Sequence, residues 1–486
     1  MVRKYISLFI VLAALLTSCS ERGNTPADIN TVGFDLDSIR SRGKLIAVTD
    51  FNSTNYFIYK GEPMGFHYEL LKSFAEYLGV DLEIITENHV EHAYDLLGSG
   101  EADLMAMGLT VNASGRKRVN FSDPVIETRQ VLVQRKPRIW KTLTEDEISR
   151  RLIRNQLTLA GKTVYVQENS THAERLRNLE EEMGDSINII EVPYDAEALI
   201  QNVARGDIDY TVCDENIALV NSRYYDDLDI ATPVSFPQNI SWGLRKSNSE
   251  KLMTELNTWL GNYKRTHSFA LLYAKYFRNS RSTTIVRSDY YALSTGKISQ
   301  WDDQLKGASE AINWDWKLLA SLVYQESRFD PDARSWAGAY GLMQVMPETG
   351  THFGIDITSS PSDNIKAGTK YIQWLHTIFD IKIPDPDERI KFILASYNAG
   401  PGHVLDAMNL AAKNGMDPVV WDNNVEIWLL RKSKPEYFND PVVKNGYFRG
   451  TESVNFVNEV LERYEHYRNI VPEAPVAQLR LGMLSK

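Results

Sequence analysis

The pattern of apolar residues changes in the middle of this 486-residue chain. Before about residue 278, short apolar runs such as Lys44–Thr49 alternate with amphipathic stretches such as 68–78, in the order strand, helix, strand. That order predicts βαβ units and an α/β domain with mostly parallel sheets. From residue 301 to 486 the apolar residues recur at helical spacing, which predicts a second, mostly α domain. The polar segment 279–300 is the predicted linker.

The charge of the chain argues against a nucleic-acid partner. The net charge is −11, and acidic residues exceed basic ones on both sides of residue 301. A nucleic-acid-binding protein needs clustered Lys and Arg to neutralise phosphates, and no such cluster is found. The two cysteines can form neither a disulfide framework nor a multi-cysteine metal site. The sequence therefore implies no metal and no cofactor.

The N-terminus has the features of an export signal. Basic residues at positions 3 and 4 precede an apolar run at 6–16, which is shorter than the ~20 residues that a bilayer span needs. The sequence Leu16-Thr-Ser-Cys19 resembles the bacterial lipobox. This resemblance implies a signal peptide at 1–18, lipid on Cys19, and a tether at 19–43. Ser20 favours the periplasmic side of the outer membrane; an ordinary signal with an incidental cysteine is the alternative.

Residues 44–278 resemble the family-three periplasmic solute-binding proteins. The matching stretches, in order, are 61–70, 97–103, 108–110 with 121–124, 161–167 and 206–210 with Asp214. The resemblance implies two lobes that close over a small ligand in the cleft between them. An amino acid, a stem peptide or a muropeptide would be the ligand of this domain.

The same resemblance implies which residues hold that ligand. Arg116 would clamp a ligand carboxylate and Asp214 would bind the ammonium group, with Thr110 and Ser170 as hydroxyl partners. The spacing from Thr110 to Arg116 is one residue longer than usual in the family, so a solvated basic turn is the alternative for Arg116. The domain carries no paired carboxylates or Ser/His couple, which indicates a binding module and not an enzyme.

The second domain carries one carboxyl in an unusual place. Apolar residues form one face of a predicted helix from Leu318 to Tyr324, then Glu326 and Ser327 follow, and Pro331 is predicted to end the helix. Burial at such a position would raise the pKa of Glu326 and suit it to general acid catalysis near neutral pH. An ion pair between Glu326 and Arg328 is the structural alternative.

Three motifs after this helix resemble the catalytic domain of soluble lytic transglycosylases, a lysozyme-like fold. They are Glu326-Ser327, the stretch Gly341-Leu-Met-Gln344, and Ala395-Ser-Tyr-Asn-Ala-Gly-Pro-Gly402. The resemblance implies that Glu326 is the catalytic acid and base. The implied supporting residues are Ser327, Gly341, Met343, Gln344, Tyr397 and Asn398. Turn or core roles are the alternatives for Ser327 and Met343.

The implied reaction is cleavage of the β-1,4 bond between N-acetylmuramic acid and N-acetylglucosamine in peptidoglycan strands, without water, to give 1,6-anhydromuramyl ends. The order of lipoprotein signal, solute-binding-like domain and catalytic domain resembles the membrane-bound lytic murein transglycosylases. Phe456 stands where the family often has Tyr, and we expect it to be a core residue. Two other functions remain possible: a hydrolytic muramidase, and a tethered solute receptor whose second domain only binds the wall.

Overall fold

A computed structural model describes residues 35–278 and 296–469. The predicted signal peptide, Cys19 and most of the linker lie outside these residues. Among the helices that the model describes, none is both long and apolar enough to cross a bilayer.

The first domain has the α/β architecture that the alternating pattern predicts, arranged in two lobes as the family resemblance implies. Its strands are β1 (Lys44–Thr49), β2 (Phe57–Tyr59), β3 (Glu62–Met64), β4 (Asp81–Thr86), β5 (Leu104–Met105), β6 (Asn120–Phe121), β7 (Ile126–Thr128), β8 (Gln130–Arg135), β9 (Thr163–Gln167), β10 (Asn188–Val192), β11 (Tyr210–Asp214), β12 (Leu228–Pro233), β13 (Gln238–Ile240) and β14 (Gly243–Leu244). One sheet has the order β4-β1-β5-β14-β6 and the other β10-β9-β11-β8-β12. Strands β1, β4 and β5 are parallel, as are β9, β10 and β11, whereas β8 and β14 run antiparallel to their neighbours.

Two short strands connect the lobes. Strands β7 and β13 pair antiparallel, with Ile126 opposite Ile240, at the two points where the chain passes from one lobe to the other. Paired crossings of this kind can serve as a hinge between the lobes.

Helices cover both sheets. They are α1 (Leu36–Arg42), α2 (Phe66–Leu78), α3 (Val90–Ser99), α4 (Gly115–Arg118), α5 (Glu145–Arg150), α6 (Thr171–Met183), α7 (Ala196–Arg205), α8 (Glu215–Tyr224), α9 (Glu250–Tyr263) and α10 (His267–Tyr273), followed by a π-helical turn at Ala274–Arg278. Short 3-10 turns lie at Trp140–Thr142 and Gln156–Leu159.

Helix α1 corrects one boundary. It lies inside the predicted tether 19–43, and its residues Leu36 and Ile39 are buried against the first domain. Asp35 caps the helix and also accepts a hydrogen bond of 2.8 Å from the backbone N–H of Leu252. Ordered structure therefore begins before Lys44. Two buried residues in an otherwise polar stretch were too few to show helical periodicity.

The second domain is mostly helical, as predicted. Its helices are α11 (Asp302–Glu310), α12 (Trp316–Ser327), α13 (Pro347–His352), α14 (Pro361–Phe379), α15 (Pro386–Ala399), α16 (Pro401–Lys413), α17 (Glu426–Arg431), α18 (Pro435–Phe438) and α19 (Thr451–Arg468), with a π-helical turn at Trp421–Val425. Helix α12 packs between α11 and α19, and α15 packs against α14, α16 and α19. Ile298 and Ser299 are buried and donate to the carboxylate of Asp302, so this end of the predicted linker belongs to the second domain.

A hairpin of the first domain rests on helix α12 of the second. Strands β2 and β3 are joined at Lys60 and Gly61, both with positive φ, the geometry of a tight hairpin turn. The hydroxyl of Tyr467 donates a hydrogen bond of 2.8 Å to the carbonyl of Gly61. A Cβ atom on Gly61 would lie 2.6 Å from both Tyr324 and Tyr467, so only glycine allows this approach.

Candidate functional site

Helix α12 places Glu326 at its C-terminal end. Asp315 caps the other end by accepting from the N–H of Lys317 at 2.9 Å. The helix ends at Ser327 because Arg328 and Phe329 both adopt left-handed backbone conformations, with φ of 53° and 64°. The sequence predicted that Pro331 ends the helix. This prediction is wrong, because the helix ends at Ser327, four residues earlier. Two successive non-glycine residues in this region store backbone strain, which is typical of functional sites.

The carboxyl of Glu326 is half-buried and carries a perturbed pKa. Burial raises its pKa from 4.5 to about 8, and no neighbouring charge contributes to that shift. Within the described parts of the chain the carboxyl has neither an ion-pair nor a hydrogen-bond partner, so the alternative ion pair with Arg328 is wrong. A neutral carboxyl with a proton to give at pH 7 is suited to general acid catalysis.

Tyr397 lies beside Glu326. Its hydroxyl donates a hydrogen bond of 2.7 Å to the carbonyl of Met343. Burial raises the pKa of Tyr397, and the charge of Glu326 raises it further, so the two side chains lie within the range of electrostatic interaction. The next residue, Asn398, is exposed and accepts a hydrogen bond of 2.5 Å from the hydroxyl of Ser453 on helix α19.

Ser327 fastens the following loop to helix α12. Its buried hydroxyl is 2.8 Å from the carbonyl of Leu342 and 3.1 Å from that of Val323. Met343 is fully buried, and its side chain packs against Gly368. The sequence left open whether Ser327 and Met343 support the substrate or have turn and core roles, and the structure favours packing roles for both side chains. The carbonyl of Met343 positions Tyr397.

Gly341 and Gln344 shape the same loop. Gly341 has φ of 78°, and a Cβ there would lie 2.5 Å from the amide of Asn364. Its lack of a side chain thus serves the close approach of Asn364. Gln344 has φ of 45°, and its side-chain amide donates to the carbonyls of Ala333 and Gly341 at 3.0 and 2.9 Å.

Two residues of the site carried no role in the sequence analysis. Asn364 is buried; it accepts from the N–H of Met343 and donates to the carbonyl of Tyr340, each at 2.8 Å. Ser453 is also buried and orients Asn398. Phe456, three residues further along α19, is buried in the core as predicted. A polar residue at an otherwise apolar helix position is the signal that could have found Asn364 and Ser453.

The cleft of the first domain lies between its two lobes. A cavity of about 120 Å³ is lined by residues that follow β1, β5, β9 and β11, at the carboxyl ends of these strands. This is the usual place for a ligand in α/β sheets. The lobes touch across the cavity: the N–H of Ser53 donates to Glu197 at 2.8 Å, and Asn112 donates to Glu174 at 3.1 Å.

Three of the four predicted ligand residues line this cavity. They are Thr110, Ser170 and Asp214. Ser170 is also the N-cap of helix α6, accepting from the N–H of Ala173 at 3.2 Å. Arg116 is the exception and the prediction for it is corrected, because it is exposed on the short helix α4 and is not among the residues that line the cavity. Sequence spacing could not show that Arg116 lies outside the lining of the cavity.

Comparisons with known proteins match both halves of the chain. Residues 304–419 match the Transglycosylase SLT domain, and residues 45–279 match the bacterial extracellular solute-binding proteins, family 3. The chain is 35% identical over 433 residues to the membrane-bound lytic murein transglycosylase F of Desulfosudis oleivorans, covering 88% of this chain and 90% of that protein. It is 30% identical to the protein of the same name from Pseudoalteromonas translucida, with 99% of each covered.

Solved structures match the first half. An ancestral arginine-binding protein bound to arginine is 26% identical, with a TM-score of 0.41, and the match covers 49% of this chain and 99% of that chain.

Proposed function

This chain belongs to the membrane-bound lytic murein transglycosylase F family and is a lytic murein transglycosylase, and from that premise we propose that Glu326 is its only catalytic acid and base. The observation that carries this proposal is the isolated, half-buried carboxyl of Glu326 with a pKa of about 8. Such a group holds a proton at neutral pH and takes one back readily once it has been ionised.

The proposed reaction uses that carboxyl twice, first as an acid and then as a base. Glu326 gives its proton to the glycosidic oxygen as the bond from that oxygen to C1 of N-acetylmuramic acid breaks. The oxygen of the C6 hydroxyl of the same sugar then bonds to C1, and the hydroxyl proton passes to Glu326, which restores the neutral carboxyl. The products are a free N-acetylglucosamine hydroxyl and a 1,6-anhydromuramyl end, and no water is consumed.

The surroundings of Glu326 support this route over hydrolysis by a retaining glycosidase. A retaining glycosidase keeps a second carboxyl about 5 Å from its acid. A charge at that distance would alter the pKa of Glu326, yet burial is the whole cause of its shift among the residues described. The sugar hydroxyl removes the need for a second carboxyl to act as nucleophile or to activate water.

Tyr397 and Asn398 are the proposed substrate-positioning residues. Each already has a fixed orientation, Tyr397 through the carbonyl of Met343 and Asn398 through Ser453. Because Tyr397 neighbours Glu326 and Asn398 is exposed, they offer a hydroxyl and an amide to a sugar beside the acid. Ser327, Gly341, Met343 and Gln344 hold the loop under them.

Mass spectrometry of the products tests the reaction. Purified peptidoglycan is digested with the protein and with its Glu326→Gln variant, and the masses of the released muropeptides are measured. We expect the parent protein to produce ends that are lighter than reducing ends by the mass of one water. The variant should produce no such ends. Reducing ends would identify a muramidase, and cleavage by the variant at the full rate would remove Glu326 from the mechanism.

We also propose that lipid on Cys19 holds the enzyme at the periplasmic face of the outer membrane. The sequence Leu16-Thr-Ser-Cys19 supports this, together with the words "membrane-bound" in the names of the relatives. Radiolabelled palmitate should be incorporated into the chain and not into a Cys19→Ala variant. Labelling of that variant would contradict the proposed anchor.

The first domain is proposed to bind a wall-derived peptide or another small ligand and to regulate catalysis. The hairpin contact supports this role, because Gly61 and Glu62 touch Tyr324, two residues before Glu326. Movement of the hairpin would therefore act on the end of helix α12. Cleavage rates measured with and without added muropeptides test the idea, and equal rates would exclude regulation by these ligands.

A further inference from the structure

A tryptophan is fully exposed at the tip of a hairpin in the second domain. Trp336 is 100% exposed, more than any other large apolar side chain in the described parts of the chain. Leaving this ring in water forgoes a large gain from burial, and tryptophans of this kind are enriched where proteins contact their partners. Single exposed apolar residues are common, but this one is held rigidly and its loop leads into the catalytic site.

The backbone of the hairpin fixes Trp336 in place. The N–H of Ser335 donates to the carbonyl of Ala339 at 3.0 Å, and the N–H of Gly338 donates to the carbonyl of Ser335 at 3.1 Å. The hydroxyl of Ser335 accepts a further bond of 3.0 Å from the N–H of Ala339. Because the turn is already ordered in the free protein, a contact made by Trp336 would cost little conformational entropy.

The same hairpin is tied to the loop of the catalytic site. The N–H of Gly341 and the side-chain amide of Gln344 both donate to the carbonyl of Ala333, at 2.9 and 3.0 Å. Ala333 lies three residues before Trp336. The hairpin tip is therefore anchored to the loop whose carbonyl at Met343 positions Tyr397.

A polar groove of about 610 Å³ lies beside the hairpin, and Arg334 and Tyr340 are among its lining residues. The guanidinium of Arg334 lies over the ring of Tyr340, 5.1 Å from its centroid, and has no ion-pair partner in the part of the chain that the structure describes. Asp356 is the one carboxylate among the described lining residues. It accepts from the N–H and the hydroxyl of Thr358 instead, at 2.9 and 2.8 Å. The groove thus offers a guanidinium that is free to bind an external anion.

Peptidoglycan carries groups that match both side chains. The sugars of a β-1,4-linked strand have hydroxyls around the ring edge and C–H groups on the ring faces, and an aromatic ring can stack on such an apolar face. The stem peptides carry carboxylates, which arginine binds through its planar fork. We propose that the hairpin 333–340 is an accessory peptidoglycan subsite, in which Trp336 stacks on a sugar of the strand and Arg334 pairs with a carboxylate of a stem peptide. The inference rests on the proposed function, because it names two further contacts of that enzyme with its substrate.

Binding to immobilised, uncrosslinked peptidoglycan strands tests the sugar contact. The strands are used intact and after an amidase has removed their stem peptides, and every protein is the full chain carrying Glu326→Gln, so that no strand is cleaved. Trp336→Ala should bind both kinds of strand about tenfold or more weakly. Trp336→Phe keeps a ring and should retain most of the affinity.

Ile381→Ala is the matched control, because it removes another apolar side chain, 92% exposed and outside the hairpin. It should leave binding unchanged. The first domain is unaltered in every variant, so any binding that it adds is the same in all. Unchanged affinity in Trp336→Ala, an equal loss in Ile381→Ala, or failure of the parent to bind peptide-free strands would overturn the inference.

Arg334→Ala tests the carboxylate contact. It should weaken binding of intact strands by about fivefold, as expected for an exposed ion pair, and leave binding of peptide-free strands unchanged. Added salt should diminish this loss, because exposed charges are screened, whereas the loss in Trp336→Ala should persist. An equal loss on both kinds of strand, or a loss that salt does not alter, would refute the pairing of Arg334 with a stem peptide.

Cleavage by proteins with unaltered Glu326 keeps this inference apart from the catalytic proposal. Trp336→Ala should raise KM and leave kcat within about twofold, because a stacking contact is made equally before and in the transition state. A lower kcat at unchanged KM would refute the subsite. Weaker binding in Trp336→Ala, with no anhydromuramyl ends from the parent, would leave the subsite standing and reject the catalytic proposal. Anhydromuramyl ends that depend on Glu326, with equal binding by the parent and Trp336→Ala, would do the reverse.

Discussion

The hydroxyl of Tyr397 is 2.7 Å from the backbone carbonyl of Met343, and this hydrogen bond joins helix α15 to the loop that follows the catalytic helix. The same tyrosine neighbours Glu326, whose charge raises the pKa of the phenol. The acid, the tyrosine and the loop therefore form one unit, and a change in any of them should be felt at the others.

Glu326→Gln should reduce the rate of peptidoglycan cleavage by about 10²–10⁴-fold, because the amide cannot transfer a proton. The fold should persist, since the described structure gives this carboxyl no partner to lose. Release of soluble muropeptides gives the rate and circular dichroism checks the fold. Glu348→Gln, an exposed glutamate after the same loop, is the matched control and should keep full activity. A similar loss in both variants would argue against a specific role for Glu326.

Activity should fall as the pH rises through about 8, because above its pKa Glu326 has no proton to give. The free energy of unfolding should also depend on the protonation of Glu326. Its folded pKa is raised above the unfolded 4.5, so its contribution is complete below about 4.5 and is lost as the pH rises through about 8. Thermal unfolding at several pH values should show the stability of Glu326→Gln rising relative to that of the parent chain as the pH increases from about 4.5 to about 8. An activity midpoint near 4.5 would contradict the buried environment.

Asn364→Ala should lower the free energy of unfolding by about 2–3 kcal/mol, because two buried backbone groups, on Tyr340 and Met343, lose their partner. Cleavage should also slow, since the carbonyl of Met343 positions Tyr397. Urea unfolding and muropeptide release measure the two effects. Asn409→Ala, on an exposed face of α16, should change neither. An unchanged unfolding curve for Asn364→Ala would show that the loop does not depend on this amide.

Gly61→Ala should loosen the contact between the domains, because the added carbon would lie 2.6 Å from Tyr324 and Tyr467. Gly79→Ala is the control: this glycine also has positive φ, of 72°, but a Cβ there meets nothing within 4 Å. Both variants carry the backbone strain of about 1 kcal/mol, so any greater loss in Gly61→Ala comes from the contact. Differential scanning calorimetry measures both, and equal losses would mean that the hairpin contact contributes little.

The sequence was informative where a residue's role depends on its neighbours along the chain. The βαβ order of β1, α2 and β4 follows from local apolar spacing, and Glu326 stands out because an apolar face ends in a carboxyl. Asn364 and Ser453 could be noticed as polar residues on apolar helix faces, but their roles could not be assigned, since each acts on a segment distant along the chain. The prediction for Arg116 was wrong for a related reason: its chemistry suits the predicted clamp, but its position relative to the cavity depends on the tertiary structure and not on spacing along the chain.

The hydrogen bonds that join the two lobes across the cavity have a kinetic consequence. We expect a ligand to enter only when the bonds from Ser53 to Glu197 and from Asn112 to Glu174 have opened, so each association event must wait for that opening. The association rate constant is then set by how often the lobes separate and falls below that of an open site. Dissociation must wait for the same event, so the first domain would report the concentration of its ligand averaged over time.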